Sequence, residues 1–258
     1  MLEALYEAGI RPDLLVATSA GAVNAAFVAS RSPTVQTVRD LQQIWRGLRR
    51  SHVFPANPLA AGLGVLGLRN HSVSPGPLRS LVLRHLEIDR LQDAPVELHV
   101  VAADVLSGKE VLLSEGPAAD AILASAAIPG VFPPVSWESL QLVDGGIVNN
   151  TPISHAVELG ADRVYVLQAI CTRPLGRAPR GVWASGVAGM SRAITRRFDE
   201  DLVRYSDAVE LTVLPAPRPE GSSPTDFRHA DELIADGLSL ARAALAQAGR
   251  VMPLRLAA

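Results

Sequence analysis

The sequence has little cysteine, lysine or net charge, and it has no long hydrophobic run. The single cysteine, Cys171, excludes an intramolecular disulfide and a cysteine-based metal site. A net charge of −2 gives no sign of a nucleic-acid-binding protein. No apolar run reaches the roughly 18 residues of a membrane-spanning helix. No basic segment followed by an apolar run opens the sequence, which predicts a cytoplasmic location unless an upstream segment carries a signal.

What the sequence has is enough apolar residues for a large core. Hydrophobic residues make up 48% of the 258 residues, which fits one large α/β domain. We therefore expect a single domain over 1–258, with a core in about 1–170 and with helices and a strand in 182–248 packed on it. Predicted strands alternate with predicted helices, which indicates a mainly parallel sheet covered on both faces.

Hydrophobic spacing and turn residues give the order of the elements. Helices are predicted over 1–8, 20–29, 34–48, 78–86, 120–127, 152–159, 182–205 and 230–248, and strands over 96–103, 110–113, 140–143, 164–167 and 209–214, besides the apolar run that begins at residue 14. The helix over 182–205 is predicted to face the core, with a membrane-surface helix as the alternative. The apolar, Gly- and Pro-rich segment 51–77 is predicted to be a crossover loop, with a substrate-facing flap as the alternative.

Residues 14–27 have the pattern of a nucleophile elbow. An apolar strand ends at Ser19, and an alanine-rich helix begins at once, so the serine hydroxyl is exposed on a sharp turn. Strand and helix nearly touch there, which favours small residues on both sides. Gly21 supplies one, and Ala17 stands where the usual G-x-S-x-G pattern has glycine. A plain strand-to-helix turn that contains a serine is the alternative, because short motifs give many false positives.

A second reactive side chain follows another apolar strand. Asp144 comes directly after the strand over 140–143, and Gly145 and Gly146 let the backbone turn tightly beside its carboxylate. In a parallel sheet this aspartate and Ser19 lie at the same carboxyl edge, where α/β proteins place their sites. The alternative is an ordinary turn or capping aspartate.

Several blocks of sequence resemble the bacterial patatin-like phospholipases, over residues 1 to about 245. The blocks are ATSAGAVNA (17–25), ASAAIPGVFPP (124–134), VDGGIVNNTPI (143–153), GADRVYVL (160–167) and PTDFRHADEL (224–233). The resemblance implies a three-layer α/β/α sandwich and a Ser–Asp dyad, with Ser19 as nucleophile and Asp144 as its base. It implies a lipid or other acyl-ester substrate, no metal or other cofactor, no nucleic acid, and room for peripheral contact with a membrane.

The sequence departs from that family at its start. Patatin-like proteins carry a first strand and a Gly-rich oxyanion loop before the helix that residues 1–8 resemble. Here the backbone N–H of Ala20 is the one donor expected, and loss of a single oxyanion donor costs about 10²–10³ in rate. We therefore expect Met1 to be an internal start. A protein that begins at Met1 is expected to hydrolyse esters weakly or not at all and to be poorly soluble.

Histidine gives an alternative mechanism. A Ser19–Asp144–His229 triad has the chain order of the α/β-hydrolases. The context of Asp144 instead favours the dyad, and none of the six histidines has a metal-ligand spacing.

Three further polar residues lie in the blocks around the dyad. Asn149 and Asn150 are interpreted as caps of the helix that follows, and support of the Asp144 turn is the alternative, which also applies to Ser125.

Three functions fit these patterns. The first is a lipase, phospholipase A or lysophospholipase that works through an acyl-enzyme. The second is a thioesterase or acyltransferase that uses the same dyad. The third is a truncated, weakly active or inactive relative that binds acyl chains.

Overall fold

The structure is a computed structural model, and it describes residues 1–55, 71–168, 182–217 and 226–251. Three predicted segments lie largely or wholly outside the described residues: the segment 51–77 except for its two ends, the loop over 172–181, and most of the loop over 215–224. The described helices are α1 Leu2–Glu7, α2 Ala20–Ala29, α3 Val35–Gly47, α4 Arg50–Val53, α5 Gly76–His85, α6 Ala118–Ser125, α7 Ile153–Glu158, α8 Val182–Tyr205 and α9 Ala230–Val251. The described strands are β1 Leu14–Thr18, β2 Glu97–Asp104, β3 Glu110–Leu113, β4 Val135–Trp137, β5 Leu140–Asp144, β6 Arg163–Leu167 and β7 Glu210–Leu214.

Strand β2 lies at the centre of the larger sheet. It pairs in parallel with β1 and antiparallel with β3 and β5, and β5 pairs with β4. Its residues are almost all buried, as expected of a strand with partners on both edges. Strands β6 and β7 form a separate parallel pair.

The register places β1 and β5 end to end on one edge of β2. Val100 and Val101 pair with both β1 and β3, so these two strands lie on opposite edges. Ala102 and Ala103 pair with both β3 and β5, so β5 lies opposite β3 as well. Since β1 runs parallel to β2 and β5 runs against it, the carboxyl ends of β1 and β5 point at each other. Ser19 and Asp144 meet at this junction.

The predicted α/β class is confirmed, but the larger sheet is mixed rather than mainly parallel. The reason lies in two hairpins, which can join only antiparallel strands. One is the predicted turn between β2 and β3. The other joins β4 to β5 through Glu138, a non-glycine residue with φ of 51°. Strand β4 was not predicted, because the alternation of Val135, Ser136 and Trp137 is too short to distinguish from a loop after two prolines.

Helices cover the strands on both sides. Alanines of α2 and α6 pack on Leu98, Val100 and Ala102 of β2, so helix and sheet approach closely. In the smaller sheet, Val164 and Val166 pack with α7 and α8, whereas Tyr165 and Leu167 pack with α1 and α9. This is the arrangement of a three-layer α/β/α fold.

Helix α8 faces the core in its carboxyl-terminal half. Phe198 is buried against β6, and Leu202 packs beside it, whereas Met190, farther toward the start of the helix, is exposed. None of the helices in the described ranges combines the length and apolarity needed to cross a membrane. The single-domain organisation stays a prediction.

Candidate active site

Ser19 occupies a strained turn between β1 and α2. Its φ of 56° and ψ of −127° lie in a region that non-glycine residues rarely adopt, as a nucleophile elbow requires. The half-buried side chain donates a hydrogen bond from Oγ to Oδ2 of Asp144, with an O–O distance of 2.6 Å. The two residues are 125 positions apart in the sequence, and the shared edge of β2 brings them together.

Ser125 holds the elbow from beneath. Its fully buried hydroxyl accepts the N–H of Ser19 at 2.8 Å and donates to the carbonyl oxygen of Val101 at 2.6 Å. The same segment supports the other half of the site, since the carbonyl oxygen of Ala127 accepts the N–H of Asp144 at 2.9 Å. The block 124–134 therefore serves both strand ends. Ala127 was not singled out in the sequence, because a backbone carbonyl leaves no residue-type signal.

The start of α2 points unpaired donors at this junction. Ala20 and Gly21 are its first two residues, and their N–H groups have no acceptor within the helix. A Cβ on Gly21 would lie 3.9 Å from Cβ of Ala17, which is an ordinary contact. Strand and helix thus leave room for a methyl group on both sides of the turn. The alanine at position 17, where the usual pattern has glycine, is therefore accommodated without a clash.

Asp144 is a nearly buried carboxylate with few donors. Oδ2 accepts the Ser19 hydroxyl, and Oδ1 accepts the N–H of Gly146 at 2.8 Å. Burial raises the pKa of Asp144, and the hydrogen bonds from Ser19 and Gly146 offset this only in part. A carboxylate with a raised pKa is a stronger base than an ordinary aspartate.

The two glycines after Asp144 have different reasons to be there. A Cβ on Gly145 would overlap the carbonyl oxygen of Val101, a backbone atom of β2 that cannot move aside. A Cβ on Gly146 would come within 3.0 Å of side-chain oxygens of Asp144 and Asn150. Gly145 therefore lets the turn lie directly on β2, and Gly146 brings an N–H to the carboxylate.

The helix after this turn has no asparagine cap. Helix α7 begins at Ile153 after Pro152, and no side chain caps it, so the capping interpretation of Asn149 and Asn150 is wrong. Asn149 is instead buried, and its carbonyl oxygen accepts the hydroxyl of Thr18 at 2.8 Å. Thr18 was not singled out in the sequence, because its partner is 131 positions away.

The histidine of the alternative triad, His229, pairs with a glutamate, and so does His155 near the dyad. His229 contacts Glu232 at 3.1 Å, and His155 contacts Glu110 at 2.6 Å. The hydrogen bonds recorded for the Asp144 carboxylate come from Ser19 and Gly146. Across the described ranges, no three or more His, Cys, Asp or Glu side chains lie close enough together to hold a metal ion.

Comparison with known proteins agrees with this fold. Residues 1–157 match the family described as patatin-like phospholipase, and the chain belongs to that family.

Relatives from mycobacteria and fungi are among the proteins that the chain matches. The chain is 33% identical over 116 residues to an uncharacterised NTE family protein of Mycobacterium tuberculosis, which covers 44% of this chain and 32% of the relative. A second such protein, from Mycobacterium bovis, is 27% identical over 150 residues, covering 57% and 24%. A lysophospholipase of Aspergillus terreus is 24% identical over 174 residues, covering 65% and 10%. The chain thus spans about a third or less of the length of these relatives.

Proposed function

We propose that this protein is a serine acyl hydrolase, of lipase, phospholipase A or lysophospholipase type, that works through Ser19 and Asp144. The observation that carries the proposal is the 2.6 Å hydrogen bond from Oγ of Ser19 to a buried carboxylate at the junction of β1 and β5. Membership of the patatin-like phospholipases supports a lipid ester as the substrate class. The lysophospholipase among the relatives points in the same direction.

In the first half of the reaction, Oγ of Ser19 attacks the acyl carbonyl carbon while its proton passes to Oδ2 of Asp144. The tetrahedral intermediate then expels the alkoxide of the ester, which takes that proton, and an acyl-serine is left. In the second half, water attacks the acyl-serine, Asp144 accepts a proton from the water, and Ser19 Oγ recovers it as the fatty acid leaves. Asp144 ends each cycle as it began, as a carboxylate.

Negative charge on the intermediate needs donors that are free to receive it. The N–H of Ser19 is held by Ser125, so it does not serve. The N–H groups of Ala20 and Gly21 do, because they lead α2 and point out of its amino end, where negative charge is favoured. The position of Ala20 and Gly21 therefore supports a role for both as oxyanion donors.

Labelling by a fluorophosphonate probe tests the nucleophile, and release of free fatty acid from lysophosphatidylcholine tests the activity. We expect the probe to label Ser19. We also expect Ser19→Ala and Asp144→Asn to lose hydrolysis by about 10³-fold or more, as loss of a catalytic pair does in other serine hydrolases. Ser136→Ala, which removes a hydroxyl from the edge strand β4, serves as the control and should keep the full rate.

Two results would overturn the proposal. One is label on another serine with full hydrolysis by Ser19→Ala. The other is an unlabelled protein that releases no fatty acid, which would favour an acyl-binding relative. If the label is on Ser19 but the acyl group appears on an added alcohol or comes only from a thioester, the dyad holds and the reaction is acyl transfer or thioester cleavage.

A further inference from the structure

A second polar cluster lies behind the dyad, between β3, the turn over 145–149 and α7. Its centre is Asn149, of which 1% is exposed. The side-chain Nδ2 of Asn149 donates to Oε1 of Glu110 at 2.7 Å and to Oγ of Ser154 at 3.1 Å. Because Glu110 offers only acceptor atoms when ionised, the amide has one favourable orientation, with Nδ2 facing the carboxylate.

The backbone of Asn149 connects both halves of the dyad. Its carbonyl oxygen accepts the hydroxyl of Thr18, the residue before Ser19, at 2.8 Å. Its N–H donates to the carbonyl oxygen of Gly145, the residue after Asp144, at 2.8 Å. One residue is thus hydrogen-bonded to the immediate neighbours of both reacting side chains.

Glu110 is a fixed anionic anchor for this residue. Oε1 also accepts a hydrogen bond from Nε2 of His155 at 2.6 Å. Burial alone would raise the pKa of Glu110, but the hydrogen bonds from His155 and Asn149 lower it overall, and the positive charge of Arg197 on α8 acts in the same direction. The carboxylate is therefore ionised at neutral pH, where it holds the amide most strongly.

We propose that Asn149 is a positioning residue, which Glu110 and Ser154 hold in place so that Thr18 and Gly145 keep the separation at which Ser19 and Asp144 react. This inference rests on the proposed function, because it assigns a role in the same reaction. The amide matters at this position, since an apolar side chain of the same size would take from the half-buried carboxylate one of its two side-chain donors and would free residue 149 from Glu110 and Ser154.

The variant Asn149→Asp tests the role with almost no change in size. It replaces Nδ2 with a carboxylate oxygen that faces Glu110, and repulsion then moves the backbone of residue 149. We expect kcat to fall by about 100-fold, the usual cost of a displacement of about 1 Å at a reacting pair, with KM changed less than about twofold. The rate of fluorophosphonate labelling should fall with kcat.

A matched double variant separates positioning from a general loss of structure. In Asn149→Asp with Glu110→Gln, the new glutamine amide donates to the new aspartate, so the hydrogen bond is restored with its direction reversed. We expect the pair to recover at least about tenfold of the lost kcat. Glu110→Gln alone keeps an acceptor oxygen for Asn149, and its kcat should stay within about threefold of wild type.

Hydrogen exchange gives a readout that does not depend on turnover. Peptides that cover residues 145–149 should exchange at least about tenfold faster in Asn149→Asp, whereas peptides from β6 should exchange as in wild type. If β6 also loses protection, the fold itself has been weakened, and Asn149→Ala then replaces Asn149→Asp in both experiments, because it removes the donor to Glu110 without adding charge. Unchanged exchange over 145–149 together with a full rate in that variant overturns the inference.

The outcomes distinguish this inference from the proposed function. Wild-type protein that hydrolyses esters through Ser19, with full kcat and unchanged exchange in Asn149→Asp, overturns the positioning role alone. Failure of the double variant to recover any rate also overturns it. A wild-type protein without hydrolysis or labelling overturns the proposed function, and the exchange experiment then decides by itself whether Asn149 holds the turn.

Discussion

Two aspartates end neighbouring strands of the same sheet, yet their surroundings drive their acidities in opposite directions. Asp104 ends β2 and Asp144 ends β5, and each has 6% of its surface exposed. Asp104 accepts the N–H and the hydroxyl of Ser107 at 2.9 and 2.7 Å and the N–H of Gln141 at 3.3 Å. These hydrogen bonds, with the Ser107 hydroxyl first, lower the pKa of Asp104. Burial raises the pKa of Asp144.

The contrast comes from depth and from the number of donors. Asp104 lies under the hairpin turn 105–109, whose residues are exposed. Its carboxylate accepts hydrogen bonds from Ser107 of that turn. Asp144 lies between buried glycines and β2, and it accepts one backbone N–H and one hydroxyl that can react. An aspartate at a strand end is thus a candidate base when its carboxylate is deeply buried, accepts few hydrogen bonds and faces a nucleophile. It is an ordinary turn residue when the turn that follows it supplies the hydrogen-bond donors for its carboxylate.

The largest expected effect is on the ester-hydrolysis rate when Asp144 loses its carboxylate. Asp144→Asn should lower kcat/KM for ester hydrolysis by about 10³-fold or more, because the amide cannot accept the proton of Ser19. Asp104→Asn, which makes the same chemical change one strand away, should stay within about threefold of wild type. Initial rates with a nitrophenyl ester measure both. Equal losses in the two variants would show that Asp144 has no special role in proton transfer.

The next effect comes from the turn that places Asp144. Gly145→Ala puts a methyl group against the carbonyl oxygen of Val101, so the turn must lift away from β2 and take the carboxylate with it. We expect a loss of about 100-fold in kcat/KM. Gly47→Ala is the control, since a Cβ there meets nothing within 4 Å. A fully active Gly145→Ala variant would mean that the turn can shift without moving the base.

The pH dependence of kcat/KM distinguishes the two aspartates as well. Because Asp144 acts as a base only when ionised, kcat/KM should fall about tenfold per unit as the pH drops below its raised pKa. The midpoint should lie above 3.8, the ordinary value for aspartate. A pH–rate profile of wild type and of Asp104→Asn should show the same acid limb in both. If the acid limb moves in Asp104→Asn, the group that titrates is Asp104 and not Asp144.

The smallest effect is on thermal stability, and it has opposite signs at the two positions. The raised pKa of Asp144 means that ionisation costs stability, which declines as the pH rises from 3.8 through the raised value. The lowered pKa of Asp104 means that its carboxylate stabilises the fold above 3.8, and this is lost as the pH falls through the lowered value. At pH 7, Asp144→Asn should therefore keep or raise Tm, and Asp104→Asn should lower it. Calorimetry at pH 7 that gives the reverse order would contradict both assignments.

The sequence was informative where the signal is local. The elbow around Ser19, the glycines after Asp144 and the helix over 20–29 could each be read from adjacent residues, and α2 spans the residues predicted for it. The antiparallel course of β5 could not, because it is set by pairing with β2, which lies far away in the sequence. The supports of the site could not be assigned either, since Ser125 and Asn149 act through partners 106 and 131 positions away.

Because β1 and β5 lie end to end on β2, the registers of their pairing with β2 set the distance between Ser19 and Asp144. A slip of β5 by two residues along β2 would carry Asp144 about 7 Å along the strand, and a slip of one residue would turn its side chain to the opposite face. No intermediate position is open to it, because strand pairing moves in whole residues. The contact between Ser19 and Asp144 is therefore present or lost in a single step, together with the pairing of the central strand. Loss of activity on heating or in denaturant should consequently coincide with loss of the sheet rather than precede it.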